Sequence, residues 1–216
     1  TLNTTDNYLN IDWSGEDGDN VIIGAYDSAD DFDVTLANRP VLKGSLNTTT
    51  HSQGDNPVPS NREYGIIYAN DQDYIVVQDV IIENSAGEGV RLDDTTNYFC
   101  IQRVKVDGCY VRGILAYCSP SHINDNATKY SIPPQTSGLT DYDKYGLIQD
   151  CEVTDWNHWR MDCANPNDDD CGPKKPALVV SGHQGVTVQR NVCHDTPWGE
   201  VLFILDARAS AETNND

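Results

Sequence analysis

Positive charge is scarce in this sequence: 14 Lys and Arg stand against 34 Asp and Glu in 216 residues, a formal net charge of −20. That balance excludes a nucleic-acid partner, because phosphate binding draws its affinity from basic patches. Long apolar runs are missing as well. The longest is Val201 to Leu205, far below the ~20 residues that cross a bilayer as a helix, so no membrane span is expected. Only one Met and three Phe occur, yet Tyr, Trp and clustered Val and Ile supply enough apolar surface for a core, which excludes disorder as the default. Thr1 is preceded by no initiator Met, signal peptide or tag, as expected of a processed or excised segment. One domain, residues 1–216, is the expectation at this length.

What is present points outside the cell. Asn3, Asn47 and Asn126 each head an Asn-X-Thr triplet and are candidate N-glycosylation sites. Seven cysteines cannot all pair within one chain. Cys163 and Cys171 flank a polar loop and are a candidate disulfide. Acidity, sequons and this pair together give an extracellular or cell-surface expectation.

The strongest signal is an internal repeat. Gly65, Gly89 and Gly113 open G-I-I-Y, G-V-R-L and G-I-L-A at a spacing of 24 residues, and Ala177 and Val201 open A-L-V-V and V-L-F-I at the same spacing. A second short apolar segment in each unit carries Gln78, Gln102, Gln149 or Gln189. The last two intervals are lengthened by insertions at 119–143 and 160–175. A unit this short cannot bury a core alone; stacking units as coils closes one and pairs each strand with the coil above and below.

Strand alternation assigns faces. Ile66, Val90, Ile114, Leu178 and Leu202 form one expected inward column, followed by Tyr68, Leu92, Ala116, Val180 and Ile204. Val77, Ile101, Ile148 and Val188, then Val80, Val104, Cys151 and Asn191, form two more. The glutamines form a side-chain amide ladder, with Asp79, Arg103, Asp150 and Arg190 alternating in sign beside it. The expected outward column of the first strand is Ile67, Arg91, Leu115, Val179 and Phe203, mostly apolar and covered by the inserted loops or a partner. Cys151 and Cys193 fall inward as free thiols, Cys100 points outward, and Cys109 and Cys118 are a candidate disulfide at a coil corner.

The order Trp13-Ser14-Gly15, I-I-G-A-Y, R-P-V-L-K-G and then 24-residue coils resembles the right-handed parallel β-helix superfamily, pectate-lyase-like, over nearly the whole chain. That resemblance implies an all-β, right-handed parallel β-helix of about six coils with two inserted loops. It also brings in secreted polysaccharide lyases and hydrolases, and related structural proteins, as functional relatives. No amphipathic capping helix occurs in residues 1–12, and the tail after Leu205 is polar. The chain is therefore expected to be a fragment of a longer helix or a subunit whose ends are covered by other chains.

Candidate chemistry lies in two places. Arg91 and Asp93, with Asp94 beside them and Asp206 further on, are candidate acid–base and charge-stabilising groups. In the second insertion, His158 and Arg160 are candidate catalytic groups. Trp156, Trp159 and Trp198 are candidate sugar-stacking residues. Asp168, Asp169 and Asp170 are candidate calcium ligands without EF-hand spacing. His183 and His194 read as isolated turn residues. Two functions follow. The first is a non-catalytic extracellular structural protein that assembles end to end or laterally. The second is a secreted carbohydrate-active enzyme, lyase or hydrolase, or a sugar-binding or adhesin module.

Overall fold

The computed structural model describes residues 8–25, 39–44, 65–94, 96–117, 146–157, 176–181, 183, 186–196 and 201–205. Every regular element among them is a short strand. In chain order these are β1 (Leu9–Ile11), β2 (Val21–Gly24), β3 (Val41–Lys43), β4 (Ile67–Asn70), β5 (Ile75–Gln78), β6 (Ile81–Ser85), β7 (Val90–Asp93) and β8 (Phe99–Gln102). Then follow β9 (Lys105–Cys109), β10 (Ile114–Tyr117), β11 (Gly146–Gln149), β12 (Glu152–Trp156), β13 (Leu178–Ser181), β14 (Val186–Gln189), β15 (Val192–His194) and β16 (Leu202–Leu205).

The chain visits three sheets in rotation. The first is ordered β1-β4-β7-β10-β13-β16, the second β14-β11-β8-β5-β2 and the third β15-β12-β9-β6-β3. All pairs are parallel. This is a parallel β-helix-like fold, in which a strand of three to five residues meets its backbone partners only in the neighbouring coils.

The core is the space the three sheets enclose. Val77, Ile101 and Ile148 stack in the second sheet, and Ile82, Val106 and Val153 in the third, all fully buried. Bulk alternates between coils to keep the stack level. Phe99 fills the interior of β8, and the residue stacked on it in β11 is Gly146, where a Cβ would lie 2.6 Å from the Phe99 ring. Cys151 and Cys193 do face inward, and burial pushes their thiols up to about 12 and about 11.

The expected columns hold in the second strand of each coil and, in the first strand, from β7 to β16; only β4 slips by one. Ile67, not Ile66, stacks on Val90, and Ala69, not Tyr68, stacks on Leu92. The cause is a corner of unequal length: residues 71–74 join β4 to β5, whereas 94–98 join β7 to β8. Tyr68 therefore joins Arg91 and Leu115 on the outward face in place of Ile67. Leu115 and Val179 on that face are nonetheless buried.

The corner after the second sheet sets the register. Gln102 donates to Gln78 at 2.8 Å, Gln149 to Gln102 at 3.0 Å and Gln189 to Gln149 at 2.9 Å, an unbroken head-to-tail ladder. The next residue in each coil, Asp79, Arg103, Asp150 and Arg190, has a φ between 52° and 54°. Two bidentate ion pairs join them. Arg103 holds Asp79 at 2.8 and 2.6 Å, and Arg190 holds Asp150 at 2.7 Å through both nitrogens. Asp79 is buried, and Arg39 approaches its other side at 3.7 Å.

The two pairs share a geometry and differ in burial, so they are expected to respond differently to loss of the cation. R103A leaves a buried carboxylate short of its main partner and should cost about 2–3 kcal/mol in chemical denaturation. R190A at the exposed end of the column should leave the midpoint unchanged within error.

Candidate functional site

The densest convergence of ionisable groups among the described residues lies at the entry to the first sheet. Gly87-Glu88-Gly89 ends the corner after β6, and a Cβ at Gly89 would lie 2.6 Å from the Gly113 carbonyl. That tight passage turns Glu88 under the sheet edge, where it is 2% exposed. Arg112, at the same position one coil on, donates through Nη1 to Glu88 Oε1 at 2.9 Å. Arg91 Nη1 lies 3.8 Å from Glu88 Oε2, and Arg91 Nε donates to Asp93 Oδ2 at 2.7 Å. Arg91 thus bridges two carboxylates, one interior and one on the outward face of β7.

Burial pushes the Glu88 carboxyl above its ordinary value, against the pull of Arg91 and Arg112. Arg91 is itself held above its ordinary value by Glu88 and Asp93, which outweigh its own burial. Alternation places Tyr68 and Asn70 of β4 beside Arg91 and Asp93, and Leu115 and Tyr117 of β10 on their other side. Asn70 Oδ1 is buried without a hydrogen-bond partner. The patch combines a carboxylate, a cation, an amide and two phenols on one sheet face.

Of the residues expected to carry chemistry, Arg91 and Asp93 are brought together, and Asp93 is buried rather than a solvated turn carboxylate. Glu88 and Arg112 were not anticipated. Their signal is a charge pair spaced by 24 residues with the Glu between two glycines.

Trp156 is a correction. It closes β12 with its side chain buried in the core, stacked in register on Cys109, and cannot serve as a sugar platform. The left-handed Asp155 (φ 49°) just before it shifts the alternation and turns the indole inward. Cys109 is also corrected: it is a free, fully buried thiol, so the bridge to Cys118 is not formed. It closes β9 on the inward side, and burial raises its pKa well above the ordinary value.

His183 is buried against Phe99, ring centroids 5.7 Å apart. His194 is clipped between Asp195 at 2.7 Å and Glu152 at 3.2 Å, which raise its pKa in that order. His158, Trp159, Arg160, Cys163, Asp168, Asp169, Asp170, Cys171, Trp198, Asp206, Cys118 and the sequon residues Asn3, Asn47 and Asn126 lie outside the described residues, as do both insertions. Among the described residues no group of three or more His, Cys, Asp or Glu is arranged to hold a metal ion. No protein family, curated protein or solved structure matches the chain.

The Glu88 shift has a signed consequence. A carboxyl whose folded pKa is raised favours the folded state below its unfolded value, near 4.5, and loses that contribution as pH rises through the folded value. E88Q keeps the shape and one donor–acceptor set without the charge. Urea denaturation of the native protein should show stability falling as pH rises from 4.5, and E88Q should flatten that fall. An unchanged slope would remove Glu88 as its source.

Proposed function

We propose that the protein is an extracellular carbohydrate-active enzyme on a right-handed parallel β-helix of about six coils, of the pectate-lyase-like superfamily. It cleaves a glycan at the Arg91–Asp93 end of the outward face of the first sheet. The observation that carries this reading is Arg91 and Asp93 joined at 2.7 Å on that face, between the register neighbours Asn70, Tyr68 and Tyr117.

Each residue has a role suited to its chemistry. Asp93 exchanges the proton at the reacting sugar, and Arg91 orients it and offsets charge that develops in the transition state. The phenols flank the ring. Glu88 acts through Arg91 and is a positioning residue.

The test is incubation with a panel of neutral and uronate polysaccharides, scoring new reducing ends for hydrolysis and unsaturated products for elimination. Activity on one polymer class is expected, reduced about 100-fold or more in D93N. Cleavage of no polymer, or full activity in D93N, overturns the reading.

A second reading, a structural subunit that assembles end to end, rests on one observation. Leu202 continues the inward column of Ile67 and Leu178, yet it is 44% exposed, and Val192, Val201, Ile22 and Val41 are exposed at the two ends of the described strands. Electron microscopy with and without calcium separates the two. Regular fibres support assembly, and calcium dependence would bring in Asp168, Asp169 and Asp170. Discrete particles remove it.

A further inference from the structure

The turn from Trp13 to Asn20 carries features that neither the core nor the first-sheet site uses. Trp13 is 52% exposed and Ile22 57% exposed, although the turn between them is tied to the next coil. Gly15 donates to Asp73 O at 2.9 Å, Asp73 donates to Ser14 Oγ at 3.0 Å, and Val21 donates to Tyr74 O at 2.9 Å. Glu16 and Asp19 exchange a reciprocal backbone pair at 3.0 and 2.9 Å. A Cβ at Gly15 would lie within 2.8 Å of three backbone atoms, so the turn is packed down on the next coil. Leaving an indole in water on a loop held this firmly gains nothing for the fold.

Two clefts flank the turn and share Asn20. One, about 480 Å³, is lined by Trp13, Glu16, Asp19, Asn20 and Ile22. The other, about 500 Å³, lies between Asp17, Gly18 and Asn20 on one side and Tyr74 and Tyr98 on the other. Those two rings are stacked, centroids 4.6 Å apart and 4° from parallel. The second is a half-enclosed cleft of small-ligand size, and the first is a shallower, more open depression.

The geometry points to a binding site for an uncharged pyranose unit at this turn, with the Trp13 indole as its stacking platform. A pyranose ring presents an apolar C–H face and a rim of hydroxyl donors. The turn offers the complement: an exposed aromatic face, the acceptor carboxylates of Glu16 and Asp19, and the Asn20 amide, which both donates and accepts. Among the described residues neither cleft is lined by Lys or Arg, so a uronate polymer would meet the carboxylates of Glu16, Asp17 and Asp19. Pre-organisation of the turn lowers the ordering cost of binding. The site lies on other strands than Arg91 and Asp93 and stands independently of cleavage there.

The test uses the full chain and follows the Trp13 indole N–H by NMR, assigned through W13F, during titration with neutral cello-, manno- and galacto-oligosaccharides. Uronate and chitosan oligosaccharides form parallel arms. A shift saturating with at least one neutral oligosaccharide and retained in D93N is expected, and titration calorimetry with the same sugar should show the affinity weakened about tenfold or more in W13A. Trp13 is exposed, so an unchanged thermal midpoint in W13A separates binding loss from misfolding. Binding only by the uronate or only by the chitosan arm, no shift with any sugar, or equal affinity in W13A overturns the proposal.

Discussion

Register between successive coils is the constraint on which the rest of the molecule depends. Among the described residues no strand has a hairpin partner next in sequence; each must find its parallel neighbour a full circuit of the chain away. A slip of one residue would exchange the inward and outward faces. The corner after the second sheet prevents that slip. Each Gln amide is tied to the one below, and the residue after it adopts the left-handed conformation in four coils at nearly the same φ. An amide ladder tolerates no half-step, because displacing one member breaks the bonds on both sides.

The same corners account for part of the acidity. Six of the twelve non-glycine residues with positive φ among the described residues are Asp, and two more are Asn. Asn and Asp enter this region at the lowest cost among residues with a side chain. Asn would serve the backbone equally well, but Asp79 and Asp150 also receive an arginine from the next coil. Charge at these positions is therefore conformational and cohesive at once. Glu88 differs: its burial opposes its ionisation, and the arginines beside it moderate a cost rather than create a surplus. A polar group kept under that tension is the kind that function retains.

The legible part of the structure is the part where spacing is constant. The glutamines and the apolar residues flanking them stand 24 residues apart from β5 to β8, so stacking and facing could be read directly. In the first sheet the glycine rhythm suggested the same step, but the corner at 71–74 is one residue shorter than that at 94–98. Glycines mark where the chain turns, not how many residues the next turn takes. Trp156 was misread because a single left-handed residue, Asp155, reverses the side on which the strand continues. β1, three residues long and outside the repeated segments, was not read from the sequence. The Glu88 cluster was half seen: Arg91 and Asp93 share a strand, whereas Glu88 and Arg112 meet only across coils.

The sixteen described strands do not divide equally among three sheets, and the first carries one more than the others. The far surface of the described stack is consequently a spiral ledge rather than a plane. β16 stands proud while β14 and β15 lie a level lower, and Leu202 sits on the raised tread. A triangular prism with flat ends could be capped in three orientations. A ledge rising over one side of the triangle admits only one, because any other rotation drives the cap into β16 or leaves a gap above β14. Whatever seats there is keyed in azimuth by the chain's own pitch, before any side chain contributes.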